Sequence, residues 1–291
     1  MQKMNTIHKE LEAFDNYLQL RNYSIATRKS YGCCLKQFLH WRIKQGFSSP
    51  LDQNQARQYI LYRYDQGLKW QSINGDYSAL LRYYRDVKKL SWDVEHLPRP
   101  RKERRLPRII SKEAVEKMIS RASNLKYQSF ICLLYGTGIR LSEALHLKIT
   151  DIDGERKQVF IRGKGAKDRY VDLPECLLLL LRHYYKMYRP ITYLFNGAVR
   201  GTPLSARTAQ HLVKQTRKAA NIQKNVSPHT FRHCYATHHL ENGTDLLYLQ
   251  KQLGHKQLKT TARYIHLVKT YSWRIHHPIA TIELKYNTPI V

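Results

Sequence analysis

Five side chains of this sequence are of the types needed to grip a phosphate and attack it: Arg140, His229, Arg232, His255 and Tyr264. Arg140 stands in Gly136-Thr-Gly-Ile-Arg140-Leu-Ser-Glu143. His229 and Arg232 stand in Ser227-Pro-His-Thr-Phe-Arg-His-Cys-Tyr-Ala-Thr-His238, with Leu253-Gly-His255 and then Tyr264 following. Breaking a phosphodiester with side chains alone takes a nucleophile, cations for the non-bridging oxygens, a base for the nucleophile and an acid for the leaving oxygen. Arginine suits the second task because its planar fork donates two hydrogen bonds to a phosphate and never loses its charge. Tyrosine suits the first when the intermediate must be covalent yet reversible. With a free pKa of about 10, it needs a base or a strongly positive site.

The composition agrees with a polyanionic partner. The 291 residues include 50 Lys and Arg against 22 Asp and Glu, a formal charge of +28. Such a field attracts nucleic acid, with a ribosome-like RNA binder or a membrane-surface protein as the alternatives charge alone would allow. The length favours two domains, and 42% hydrophobic content argues for a folded chain. Five cysteines, with Cys33 and Cys34 adjacent and no CxxC pair, point to reduced thiols rather than a disulfide framework or zinc site. The N-terminus has no apolar signal-like run, and Leu177 to Leu181 is too short to span a bilayer. A cytoplasmic protein, associated with the nucleoid when on DNA, is expected.

The elements that must position these residues can be read from periodicity. Residues 1–92 read as four helices. Ile7, Leu11, Phe14 and Leu18 keep helical spacing, as do Tyr31, Leu35, Phe38 and Leu39. Further helices fit Gln53 to Tyr64 and Gln71 to Lys88. Residues 93–107 carry prolines among arginines and read as an extended basic linker, either solvated or strapped along a DNA backbone. Residues 108–275 read as mainly helical. Strands are predicted at Gln158–Arg162 and Asp168–Asp172, joined by the loop Gly163-Lys-Gly-Ala-Lys167. Ser205 and Asp245 sit where N-caps belong, and Gly243 and Gly254 where helices stop. Residues 276–291 form a tail in which Ile279 to Tyr286 could add a strand and contact another subunit. The fold class is mainly α with an α+β second domain holding a small sheet.

The two boxes resemble those of the tyrosine recombinase (phage integrase) family: Tyr135-Gly-Thr-Gly-Ile-Arg-Leu-Ser-Glu-Ala-Leu145 is similar to the first, and His229-Thr-Phe-Arg-His-Cys-Tyr-Ala-Thr237 to the second. Asn22-Tyr-Ser-Ile-Ala-Thr-Arg-Lys-Ser-Tyr31 resembles the start of the family's core-binding, SAM-like helical domain. The resemblance implies that Arg140 and Arg232 clamp a phosphate, that His229 is the acid/base partner of the tyrosine and that His255 is a further donor to the phosphate. Lys164 would then be the acid for the 5′ oxygen and Tyr264 the nucleophile, forming a 3′-phosphotyrosyl link without metal, ATP or any cofactor. It also implies double-stranded DNA at inverted-repeat-like core sites as partner. A dimer per site would form a homo-tetramer on paired sites, with a DNA-bending accessory protein as a further candidate. Integration or excision of a mobile element is the implied role.

Rival readings attach to single residues. Arg140 could merely pair with Glu143, which otherwise reads as orienting a catalytic group. His255 could complement a helix C-terminus. Tyr271 stands close to Tyr264, but only Tyr264 lies in Thr260-Thr-Ala-Arg-Tyr-Ile-His266. Lys167 competes with Lys164. His233, His238 and His239 invite a zinc reading that lacks a cysteine partner. For the whole chain, the rivals are a type IB topoisomerase and a DNA-binding protein with a decayed site.

Overall fold

A computed structural model describes residues 2–47, 49–101, 107–163, 168–199 and 201–268. The chain forms two compact units, residues 1–105 and 106–291.

The first unit is a bundle of four helices: α1 (Gln2–Leu20), α2 (Ile25–Lys44), α3 (Gln53–Asp65) and α4 (Trp70–Arg82). The starts of α2 and α3 are set by Ser24 and Asp52, whose side chains accept the backbone N–H of Thr27 and Gln55. Phe14, Leu18, Leu35, Phe38, Tyr59, Ile73, Tyr77 and Leu80 fill the core. Past Arg82 the helix widens into a π turn, Tyr83–Val87, in which Tyr17, Arg82 and Arg85 converge on Asp86. The near end of the basic segment is not a free strap. Leu97 is buried in this core, the Trp70 indole donates to the Pro100 carbonyl at 3.0 Å, and Arg99 lies over the Tyr77 ring. Apolar area at Leu97 outweighs the mutual repulsion of the arginines beside it.

The second unit holds α5 (Lys112–Ser120), α6 (Leu125–Thr137), α7 (Leu141–Leu145), α8 (Glu175–Tyr188), α9 (Ala206–Ala219), α10 (Pro228–Glu241), α11 (Leu246–Leu253) and α12 (Leu258–Ala262). Between α7 and α8 lies an antiparallel sheet in the order β1 (Ile152–Asp153), β2 (Gln158–Ile161), β3 (Arg169–Asp172). Val159 faces Val171 and Ile161 faces Arg169, so the inner face carries three aliphatic residues and one arginine. Ser205 and Asp245 cap α9 and α11, and Gly254 ends α11 at a φ of +63°. In α8 the aliphatic run buries Leu177, Leu178 and Leu181 but leaves Leu179 exposed, which marks an amphipathic helix. The two-residue strand β1 and the helix α12 are not expected from periodicity. Both are too short to show a repeat.

The start of this unit is pinned at Ile110. Its N–H donates to the Cys234 sulfur, and its carbonyl accepts from His238 Nε2 at 3.1 Å. With the proton on Nε2, His238 Nδ1 accepts the Tyr135 hydroxyl at 2.9 Å. The five cysteines are all free thiols. Among the described residues no helix is long and apolar enough to cross a membrane. The loop lysines Lys164 and Lys167, residues 102–106, and the tail with Tyr271 and Ile279 to Tyr286 lie outside the described residues.

Candidate active site

Arg140 is delivered by a helix end. α6 stops at Gly138, where φ is +61° and an added Cβ would stand 2.4 Å from the Tyr235 ring on α10. Only glycine lets the two helices close to this distance and turn the chain. Two residues later Arg140 precedes α7. Its N–H donates to Glu143 Oε2 at 2.7 Å, and its guanidinium to Glu143 Oε1 at 2.9 Å and to the Gly254 carbonyl at 3.4 Å. The side chain remains 39% exposed and lines a cavity of about 700 Å³ with Arg162, Arg169, His255 and Lys256.

Arg232, on α10, is 4% exposed. Nη1 donates to the Gly138 carbonyl at 2.7 Å and Nη2 to the Leu253 carbonyl at 2.6 Å. Both carbonyls belong to helix C-terminal ends, where the partial charge is negative, so the buried cation is partly offset. Burial first, then the neighbouring Arg140, lowers its pKa to about 10, and it stays charged at neutral pH.

His255 follows Gly254. Its Nε2 lies 3.0 Å from Arg232 Nη2, and its Nδ1 lies 2.9 Å from Thr261 Oγ1. A guanidinium only donates, so Nε2 accepts and the ring proton sits on Nδ1. Burial, then Arg232 and Arg140, pushes the ring down to about 4, so it is neutral at pH 7. To donate to a phosphate through Nε2, this ring must release Arg232 and carry its proton on that nitrogen.

Tyr264 sits between α12 and a short 3₁₀ turn, Ile265–Leu267, and is 2% exposed. Its ring stacks on that of His255 with centroids 6.3 Å apart. Its hydroxyl lies 3.0 Å from His233 Nδ1, and the Arg232 guanidinium is also in hydrogen-bonding reach of it. Burial raises the phenol above its usual value, against the pull of Arg232, Arg263 and Arg140. His229 stands one helical turn before His233 with an exposed side chain. Its pKa is lowered by partial desolvation and by Arg232 and Arg140.

The fold thus brings Arg140, Arg232, His255 and Tyr264 into one connected network, with His229 in electrostatic reach of both arginines. Residues 108–270 match the Phage integrase family, and residues 11–94 match its N-terminal SAM-like domain. The chain belongs to the phage integrase family.

Tyrosine recombinase XerA of Pyrococcus horikoshii is 33% identical over 258 residues, covering 87% of each chain. Tyrosine recombinase XerC of Staphylococcus haemolyticus is 31% identical, covering 94% of this chain and 98% of its own. In fold, this recombinase is similar to the XerH site-specific recombinase bound to its difH substrate. The TM-score is 0.70 at 22% identity, over 88% of this chain and 81% of that one.

Two site residues were not anticipated from the sequence. Arg169 of β3 grips Glu143 with both Nη atoms, at 3.0 and 2.8 Å, and donates through Nε to the Gln252 carbonyl at 2.9 Å. Its signal was alternation: Arg169 shares the inward face of β3 with Val171. Burial would raise Glu143, but Arg169 and the Arg140 N–H override it and hold the carboxylate near 2. His233 is the other. Its spacing from His229 places both on one face of α10, toward the same site. The zinc reading of the three later histidines has no geometric basis here: His233 meets Tyr264, His238 meets Ile110 and Tyr135, and His239 meets Thr244.

Proposed function

We propose that this recombinase cuts and rejoins DNA strands at a specific core site through a covalent bond between Tyr264 and a 3′ phosphate. The observation that carries the reading is the placement of the Tyr264 phenol against His255, which itself is bonded to the buried cation Arg232. The phenolic oxygen attacks phosphorus as its proton passes to a histidine of α10, the P–O5′ bond breaks, and the released strand leaves as a free 5′ hydroxyl. Arg140 and Arg232 offset the charge on the non-bridging oxygens, and His255 hydrogen-bonds the same group. Lys164 protonates the leaving 5′ oxygen. Attack by a second strand's 5′ hydroxyl on the phosphotyrosine reverses the sequence. Bond energy is conserved in that link, so the step consumes no ATP.

The partner is duplex DNA bearing inverted half-sites. Two copies sit on each core site and four on a pair of sites, and the outcome is integration or excision of the DNA that carries the gene. The formal charge of +28 and the DNA-bound relatives support the partner.

The test is covalent capture. Wild type and Tyr264→Phe are expressed in cells carrying the gene's flanking DNA and lysed in denaturant, and DNA bonded to protein is sequenced. Adducts at one inverted-repeat site in wild type alone are expected. An adduct in Tyr264→Phe moves the nucleophile elsewhere, and adducts spread over the genome replace site-specific recombination with general relaxation of supercoils.

A further inference from the structure

A nucleophilic phenol must lose its proton as it attacks, and the group within reach of that proton is His233. Nδ1 of this ring lies 3.0 Å from the Tyr264 oxygen, with the two ring centroids 5.7 Å apart. We infer that His233 is a catalytic residue that takes the proton of Tyr264 during cleavage and returns it during religation. The inference rests on Tyr264 being the nucleophile. It differs from the role that the sequence boxes imply for His229, which presents an exposed side chain one turn away.

The proton count closes within the site. With the neutral ring's proton on Nε2, Nδ1 accepts a hydrogen bond from the phenol. As the tyrosine oxygen bonds to phosphorus and the P–O5′ bond breaks, the phenolic proton passes to Nδ1 and leaves His233 cationic. The 5′ oxygen takes a different proton, from the acid on its own side. In religation the incoming 5′ hydroxyl displaces the phenolate, which recovers its proton from Nδ1.

The surroundings keep His233 ready to accept. Its charged and titratable neighbours are His229 and Arg232 on its own helix and Arg263 and Tyr264 from the end of α12. Burial and the cations of Arg263 and Arg232 hold the ring at about 4, so it is neutral in the DNA-free protein. A bound phosphate brings negative charge next to those cations and raises the proton affinity of the ring. The base is therefore strengthened when the substrate is in place. Tyr264 is pushed the other way by its burial, so the phenol does not ionise before the substrate arrives.

The experiment measures single-turnover adduct formation on a nicked duplex carrying the captured core segment, with sulfur in place of the bridging 5′ oxygen. A thiolate leaves without an acid, so only activation of the nucleophile limits the rate. His233→Gln keeps a hydrogen-bonding carbonyl but cannot take a proton. It should bind the duplex as wild type does and cleave about 10²-fold or more slowly at pH 7. Its rate should recover as pH rises toward 10, where hydroxide ionises the phenol directly. A rate within threefold of wild type, or a loss uniform from pH 6 to 10, overturns the inference. If His233→Gln fails to bind the duplex, His233→Asn is read by the same criteria.

A second measurement needs neither DNA nor a His233 variant. In ¹⁵N-histidine spectra of the whole protein, His233 should show a proton on Nε2 and an Nδ1 resonance that shifts in Tyr264→Phe. A proton on Nδ1 overturns the assignment. An adduct formed by Tyr264→Phe would instead sink the nucleophile reading, so the two failures are distinguishable.

Discussion

Glu143 and Arg169 form a two-pronged ion pair, with Nη1 at 3.0 Å and Nη2 at 2.8 Å from the two carboxylate oxygens, and both side chains are under 10% exposed. Because Glu143 also holds the backbone and guanidinium of Arg140, the orientation of Arg140 is inherited from a second arginine that only partly faces the cavity.

Removing Arg169 should therefore loosen the unit and misalign Arg140 together. Arg169→Met leaves a buried carboxylate with half its partners, at a cost of about 3–5 kcal/mol. In a unit of this size that lowers the calorimetric midpoint on the order of 10 °C. The double variant Glu143→Leu with Arg169→Met should regain part of that midpoint while staying inactive in adduct formation. An Arg169→Met midpoint within 2 °C of wild type would show that the pair contributes little.

Arg140→Lys should separate binding from chemistry. An ammonium cannot reproduce the fork, and loss of one oriented donor to the transition state costs about 10²–10³ in rate. Core-site affinity, measured by gel shift at fixed salt, should change much less, since the positive charge remains. Adduct formation within fivefold of wild type would remove Arg140 from the phosphate clamp.

Gly138 and Gly201 offer a matched comparison. Both have positive φ, +61° and +78°, but an added Cβ at Gly201 meets open space while one at Gly138 overlaps the Tyr235 ring. Gly201→Ala should cost about 1 kcal/mol for the backbone alone. Gly138→Ala should cost at least about 2 kcal/mol more through overpacking between α6 and α10. Equal losses in urea unfolding followed by circular dichroism would show that the helices can part freely.

His233 and His255 predict an acid-side loss of stability. Both rings are depressed to about 4, against about 6.5 in the unfolded chain. Between these values the unfolded state binds more protons, so stability falls as pH drops from about 6.5 to 4 and is level above. Glu143, held near 2, adds a second loss as pH falls below about 4.3. His255→Gln should flatten the first slope by up to one proton. An unchanged slope in that variant would place its protonation elsewhere.

Legibility in the sequence followed the length of the pattern. The helical reading of residues 108–275 is met most plainly by α8 and α11, because each carries two or more turns of apolar spacing and a clear stop. The four helices of the first unit were legible for the same reason. β1 and α12 were not, being too short for any period. The boxes pointed to Arg140, Arg232, His255 and Tyr264 because their residue types are unusual in order. They could not reveal which histidine meets the phenol, since His229 and His233 share one face of α10 and only the fold of the following turn decides. Arg169 was hidden in plain alternation: an inward arginine looks like a strand position until its acid partner, far away in sequence, is known.

Arg232 donates to the last carbonyls of two separate helices, α6 at Gly138 and α11 near Leu253. A cation at that junction rivets the two boxes of the sequence together, and under the proposed mechanism the same cation meets the reacting phosphate. Selection acting on chemistry and selection acting on architecture therefore fall on the same atom set. A recombinase of this build has no silent way to lose its second arginine, since a variant disarmed there is also one whose helices have come unfastened.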